Sequence, residues 1–432
     1  METLVSTETL RSIDSASIHE YSIPPLILME HAGVKGFSAL LTHLKNTSPP
    51  HLNQRIVFVA GGGNNGGDTL VMAREAYLRG MKEISIVRTG THISTSCNSH
   101  ITICQSLGIP MHEVSIVNNQ IDEKSQQILS QGDIIIEGIM GTGLRGKLNE
   151  QVATLVSYIH TLHTKGTYVV SVDIPSGCSD TIPATQTHIH CDLCITFGLQ
   201  KSAAYHPMSR SSWGKIIRVN PSFPLPLLEN AKKSAQLATI DDVVLKRMES
   251  SDYKNKRGHL ALFAGSPLYT GAPKITSSSA FHSGVGLVTL YCDEEVAPVI
   301  KSETASLIVT SVPKEVVIQK ESLIDRYDAI AVGSGWQLSH RKEQMLSLLH
   351  SRLPMVCDAD AIALFASLVT EKKIALADHG PLIFTPHPGE LVNMLEILGM
   401  PILAQEVHIM GTSESFIDSL IKISRALHAV LV

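Results

Sequence analysis

The sequence has no surplus of positive charge. Its 35 Lys and Arg face 40 Asp and Glu over 432 residues, a formal net charge of −5. That balance excludes a basic footprint for DNA, RNA or an anionic membrane surface. No apolar run approaches the roughly 18 residues of a membrane span. The start, Met1-Glu2-Thr3-Leu4, lacks the basic and apolar regions of a signal peptide. Cysteines are few and odd in number, at seven. In a long chain that favours reduced thiols inside a cell over a disulfide framework. Repeats at the solenoid periods of about 20–50 residues are missing. The expectation is a soluble, cytoplasmic, globular protein with no nucleic-acid or membrane partner.

What is present is an alternation of short apolar runs with helical stretches. Hydrophobic residues make up 44%, enough for sizeable cores, and the length divides into two or three domains at about 150 residues each. Strands are expected at 55–60, 84–87, 133–136, 168–172 and 193–197. Their near-continuous β-branched runs fit parallel strands covered on both faces. Helices are expected over 6–44, 70–78 and 152–163. Pro221, Pro224 and Pro226 interrupt the pattern, so a domain boundary is placed between 220 and 236. Strands then resume at 259–264, 286–291, 329–332, 355–357, 382–385 and 429–432. This is a doubly wound α/β arrangement in two domains.

Ligands in such sheets bind beyond the carboxyl ends of the strands. There the first strand gives Gly61 to Asp68, with five glycines in eight positions. The third gives Glu137 and then Gly141-Thr142-Gly143-Leu144. The fourth gives Asp173-Ile174-Pro175-Ser176-Gly177, and the fifth Gly198 to Lys201. Polar groups at four strand ends on one sheet edge describe a pocket with carboxylates placed for proton transfer or cation binding. Gly61 to Gly66 also satisfies G-x-G-x-x-G, a pattern often met by chance. Asp68 opposes a pyrophosphate at that helix start, although it could serve as an N-cap. Cys191 and Cys194 beside His188 and His190 invite a zinc reading. They lack a second ligand pair at a finger-like spacing and are read as reduced, partly buried thiols.

Gly63 to Asp68, Gly141 to Leu144 and Val172 to Gly177 resemble the signature blocks of the NAD(P)H-hydrate epimerases, the YjeF N-terminal family. Leu10 to Asp14 and Leu28 to Gly33 are similar to its first blocks. The resemblance spans about residues 1–225 and implies interconversion of the R and S hydrates of NADH and NADPH, which carry a hydroxyl on C6 of the reduced ring. It implies that Asn64, Asn65, Gly66, Gly67, Asp68, Gly141, Thr142, Gly143, Leu144, Arg145, Gly146 and Lys147 bind the hydrate. Asn65, Glu137 and Ser176 would coordinate potassium. Asp173 would contact substrate and act as acid/base. Glu137 stands where the family has Asp, His31 where it has Asn, and Thr69 where Gly is common.

Residues 238–432, after a linker at 226–237, resemble the ADP- or ATP-dependent NAD(P)H-hydrate dehydratases. The likeness rests on Gly265-Ser266, Tyr269 to Pro273, Gly333-Ser334-Gly335, Asp358 to Ala361 and Thr385 to Glu390. It implies that Ala272, Gly335 and His387 line a hydrate pocket, with Mg2+ and ADP or ATP if that domain functions. The family's Gly-Thr-Gly-Asp segment would lie beyond Val432, so an impaired dehydratase is expected. The implied fold is a Rossmann-like three-layer α/β sandwich followed by an incomplete ribokinase-like α/β domain. The resemblance further implies self-association. Alternatives are an intact bifunctional enzyme, a non-catalytic nucleotide-binding protein, and a dehydrogenase resting on the glycine loop alone.

Overall fold

The computed structural model describes residues 1–46, 54–90, 92–144, 146–180, 187–206, 209–243, 249–251, 253–302, 306–313, 316–408 and 416–432. The chain divides into two compact units, one built on Met1–Val244 and one on Leu245–Met410 with Ser415–Val432.

The first unit opens with β1 (Glu2–Val5), α1 (Thr7–His19) and α2 (Pro25–Lys45). The alternation follows as β2 (Ile56–Ala60), α3 (Asn64–Leu78), β3 (Ile84–Arg88), α4 (Thr95–Ser106) and β4 (Met111–Glu113). A short hairpin, β5 (Ile116–Val117) and β6 (Gln120–Ile121), leads into α5 (Glu123–Ser130). Next come β7 (Ile134–Gly138), α6 (Glu150–Thr164), β8 (Tyr168–Val172), β9 (Leu193–Phe197), β10 (Gln200–Lys201) and β11 (Lys215–Val219). The unit closes with α7 (Leu225–Glu229) and β12 (Ala235–Leu237).

Seven strands form an all-parallel sheet in the order β11-β9-β8-β7-β2-β3-β4. Side chains alternate across it, as a period of two requires. Ile56, Phe58 and Ala60 join one core with Phe37, Leu70 and Ile101 of α2, α3 and α4. Val57 and Val59 join the other, with Leu129, Leu155 and Ile159 of α5 and α6. Helices on both faces explain why these strands read as unbroken apolar runs. The strand order reverses direction between β2 and β7, which makes their carboxyl ends the crevice of the sheet.

Two sequence expectations change. The stretch read as a linker at 226–237 holds most of α7 and all of β12. Pro226 sits in the first turn of α7, where its missing N–H has no partner to lose. β12 pairs antiparallel with β1, which also runs parallel to β10. In addition, α3 starts at Asn64, well before Leu70, so Gly66, Gly67 and Asp68 are helical and Gly63 is the N-cap.

The second unit repeats the plan. Its strands are β13 (His259–Phe263), β14 (Leu287–Cys292), β15 (Ile308–Ser311), β16 (Ala329–Val332), β17 (Met355–Cys357), β18 (Leu382–Phe384) and β19 (Val430–Leu431). They form a parallel sheet in the order β15-β14-β13-β16-β17-β18-β19. The reversal falls between β13 and β16. Trp336, just past β16, is buried against Phe263, with ring centroids 6.2 Å apart and edge-on.

Candidate active site

β2 runs into Gly61, and α3 begins three residues later. Two close approaches set the position of that helix. A Cβ at Gly66 would come within 1.8 Å of the Gly61 carbonyl oxygen. A Cβ at Gly138, the end of β7, would meet Thr69 Oγ1 at 2.1 Å and the Asn65 carbonyl oxygen at 2.6 Å. Only glycine permits backbone this close. The start of α3, which has no side-chain cap, is thereby held beside the segment that follows β7.

A cavity of about 600 Å³ opens there, at the strand-order reversal. Asn64, Asn65 and Asp68 line it from α3, and Gly141, Thr142, Gly143 and Leu144 from the segment after β7. Asp173 lines it from the end of β8. Gly66 and Gly67 are buried in the helix and contribute backbone packing. Gly146 and Lys147 are not part of the wall described, and Arg145 lies outside the described residues. Apolar surface comes from Leu10, Leu28, Met29, Phe197 and Phe223.

Among the lining residues that received no role from sequence are Asp14 on α1 and Lys201 on β10. Asp173 takes a left-handed backbone, φ +66°, unusual for a residue with a Cβ. That turn aims its carboxylate at the fully buried Lys201 side chain. Lys201 Nζ donates to Asp173 Oδ1 at 2.7 Å and to Thr196 Oγ1 at 2.6 Å. The Phe197 N–H donates to the same Oδ1 at 3.0 Å. Asp14 and Asp68 behave differently. Burial, then the charge of Asp173, holds the Asp14 carboxyl above its ordinary range. Burial pushes Asp68 further up, assisted by Asp173 and Asp14. The cavity thus holds one ion-paired carboxylate and two that burial shifts upward, Asp68 much more than Asp14.

The three residues implied as potassium ligands lie together. Ser176 Oγ donates to Glu137 Oε2 at 2.6 Å, and the Ser176 N–H donates to Oε1 at 3.1 Å. Ser171 Oγ donates to Oε1 at 2.6 Å, and the Ile139 N–H to Oε2 at 3.2 Å. Four donors therefore surround the fully buried Glu137. Burial still raises its pKa, and these hydrogen bonds oppose the rise. Asn65 Nδ2 donates to the Met140 carbonyl at 3.0 Å. Its Oδ1 is buried and has no donor among the described residues, an open oxygen that fits a cation.

In the second unit Gly335 has φ +64°. A Cβ there would sit 2.7 Å from Tyr269 Cβ and 3.0 Å from Ala272 Cβ, so Ala272 and Gly335 adjoin at the β13/β16 reversal. Asp358 ties neighbouring strand ends together, accepting from Ser334 Oγ and Thr385 Oγ1, both at 2.9 Å. His387 begins the helix Pro388–Ile397, where its Nδ1 accepts from the Gly389 and Glu390 N–H groups at 3.1 and 3.3 Å. Its ring is largely exposed.

Cys191 and Cys194 are buried, as are all seven cysteines. His188 and His190 instead cluster with His160 and His163 from α6, with His190 centroids 4.8 Å from His188 and 4.9 Å from His160. Asp192 accepts from His163 at 3.2 Å, and Ser212 Oγ bridges His188 and His190. Among the described residues no three His, Cys, Asp or Glu are arranged to hold a metal. Burial and the three other imidazoles push His190 down to about 4. Neutral in the folded chain, it takes up a proton near its ordinary value once unfolded. Its contribution is present above about pH 6.5 and is lost as pH falls toward about 4. The denaturant midpoint should therefore fall across that window, and fall less in His190→Gln. Equal slopes would disprove the contribution.

The YjeF-related protein N-terminus family matches residues 25–203, and the NAD(P)H-hydrate dehydratase family matches residues 260–428. A bifunctional NAD(P)H-hydrate repair enzyme of Moorella thermoacetica is 27% identical over 406 residues, covering 91% of this chain and 74% of that protein. One from Dictyoglomus turgidum is 28% identical, covering 91% and 76%. Among solved structures, a yeast protein, ynu0, gives a TM-score of 0.45 at 19% identity, covering 56% of this chain and 98% of its own. No described helix is long and apolar enough to cross a membrane.

Proposed function

Because the chain belongs to the bifunctional NAD(P)H-hydrate repair enzymes, with a YjeF-type first domain and a dehydratase-type second, we propose how its first unit performs the epimerisation. The observation that supports the reading is the cavity at the β2/β7 reversal, where Asp173 shares one wall with Asn64, Asn65 and Asp68. The hydrate carries its hydroxyl on C6, next to the ring nitrogen. Loss of that oxygen leaves an iminium, and the Asp173 carboxylate supplies the opposing charge in a largely apolar cavity. Water then returns to C6 on either face. The backbone of 141–144 and the side chains of Asn64 and Asn65 hold the hydrate in place.

Asn65, Glu137 and Ser176 would hold a potassium ion, whose charge balances the buried Glu137 and steadies the segment after β7. In the second unit, if that domain functions, ADP or ATP with Mg2+ would drive conversion of the S hydrate to NADH or NADPH, with Ala272, Gly335 and His387 against the hydrate.

The test supplies the isolated R hydrate of NADH in potassium buffer and follows both epimers by chromatography, with and without ADP or ATP. Interconversion without nucleotide supports the first-unit reading, and NADH formed on adding nucleotide supports the second. Epimers changing only at the spontaneous rate, in a folded sample, would refute the epimerase.

A further inference from the structure

Leaving as water, the C6 oxygen needs a proton, and Asp173 is poorly placed to give one. Its Oδ1 already accepts from Lys201 Nζ and from the Phe197 N–H. The buried Lys201 side chain thus pairs with this carboxylate and occupies the oxygen that would carry a proton. The same cavity offers a second carboxyl, Asp68, one turn into α3. It faces Asp14 on α1 and Asp173 at the end of β8, and no ion pair is found for it among the described residues. Arg11, His92 and Lys201 also line the cavity, and the Cys97 thiol of α4 interacts with Asp68. A carboxyl whose surroundings disfavour its charged form can serve as the acid of a site, beside a second carboxylate held in an ion pair.

We propose that Asp68 is the proton donor to the departing C6 oxygen, while Asp173, anchored by Lys201, is the fixed anion facing the ring. This division of labour rests on the epimerase reading of the site. The Asp68 proton passes to the hydroxyl oxygen as the C6–O bond breaks, its electron pair leaves with water, and the nitrogen lone pair forms the N=C6 bond. Water adds to C6 on the other face, and the π electrons return to nitrogen. The proton it sheds returns to the Asp68 carboxylate, which restores the acid for the next turnover. Asp14 is a positioning residue, whose negative charge helps Asp68 keep its proton.

The test compares Asp68→Asn and Asp14→Asn with the unchanged chain, measuring R/S interconversion from about pH 6 to 9.5. Asp68→Asn keeps the shape and removes a carboxyl that is costly to ionise, so its denaturant midpoint should equal or exceed that of the unchanged chain. Its rate should fall at least about 100-fold. The unchanged chain should lose rate as pH rises and Asp68 ionises. Asp14→Asn should move that alkaline limb to lower pH. An active unchanged chain whose Asp68→Asn variant stays within about threefold would overturn the assignment, as would an unmoved limb in Asp14→Asn. An unchanged chain that leaves both epimers untouched would overturn the epimerase reading itself.

Discussion

An Asp173→Asn chain is expected to interconvert the R and S hydrates at close to the unaided rate, a loss of about 100- to 1,000-fold for removing one fixed group aimed at the charge that develops in the transition state. The same substitution should also weaken the fold. It leaves the Lys201 side chain, which has no exposed surface, without its counter-charge. Breaking a buried pair from one side costs about 3–5 kcal/mol. Catalysis and stability can be separated by adding Lys201→Met. The double variant removes both charges, and replacing a buried pair with apolar atoms is close to neutral. Its urea midpoint should return toward that of the unchanged chain, while interconversion stays at background. A double variant that recovers activity along with stability would show that Asp173 acts only as Lys201's partner.

The largest purely structural effect is expected in the second unit, at Arg341. Its guanidinium pairs with Asp293, donates to Gln344 Oε1 at 3.0 Å and lies 5.1 Å from the Trp336 ring centroid. Both charged side chains are 2% exposed. Arg341→Met strands the Asp293 charge in the interior, at a cost of about 3–5 kcal/mol. The measurement is urea unfolding followed by tryptophan fluorescence, in a Trp213→Phe background that leaves Trp336 as the reporter for this unit. Adding Asp293→Leu should restore most of the loss. A midpoint unchanged in Arg341→Met would mean that Asp293 is solvated or neutral in the folded chain.

Much of this architecture was legible because parallel sheets buried on both faces leave a local trace. Eleven strand segments read from apolar runs all lie in the two main sheets. The polar residues at their carboxyl ends fall where the strand order reverses, so Asn65, Asp68 and Asp173 could be grouped before any contact was known. Contacts between distant segments were not legible. β1 and β12 are short, and only pairing with segments distant in sequence makes them strands. Lys201 stood out as a strand-end residue, but its ion pair spans 28 positions, and no local pattern encodes it. Asp14 lies within a block of the family resemblance, and its role follows only from α1 lining the cavity. The prolines near 224 misled because the argument for a break ignores the first helical turn. Trp336 carried no sequence signal and is a core side chain against Arg341.

The buried thiols also make this chain convenient to label. All seven native cysteines are enclosed by protein, and burial pushes Cys97, Cys104 and Cys292 to about 11 and Cys191 to about 12. At neutral pH such thiols contain almost no reactive thiolate. A single cysteine introduced on an exposed helix face would therefore take a maleimide dye or spin label ahead of every native one. Distance measurements on either unit could begin without first stripping the sequence of its own sulfur.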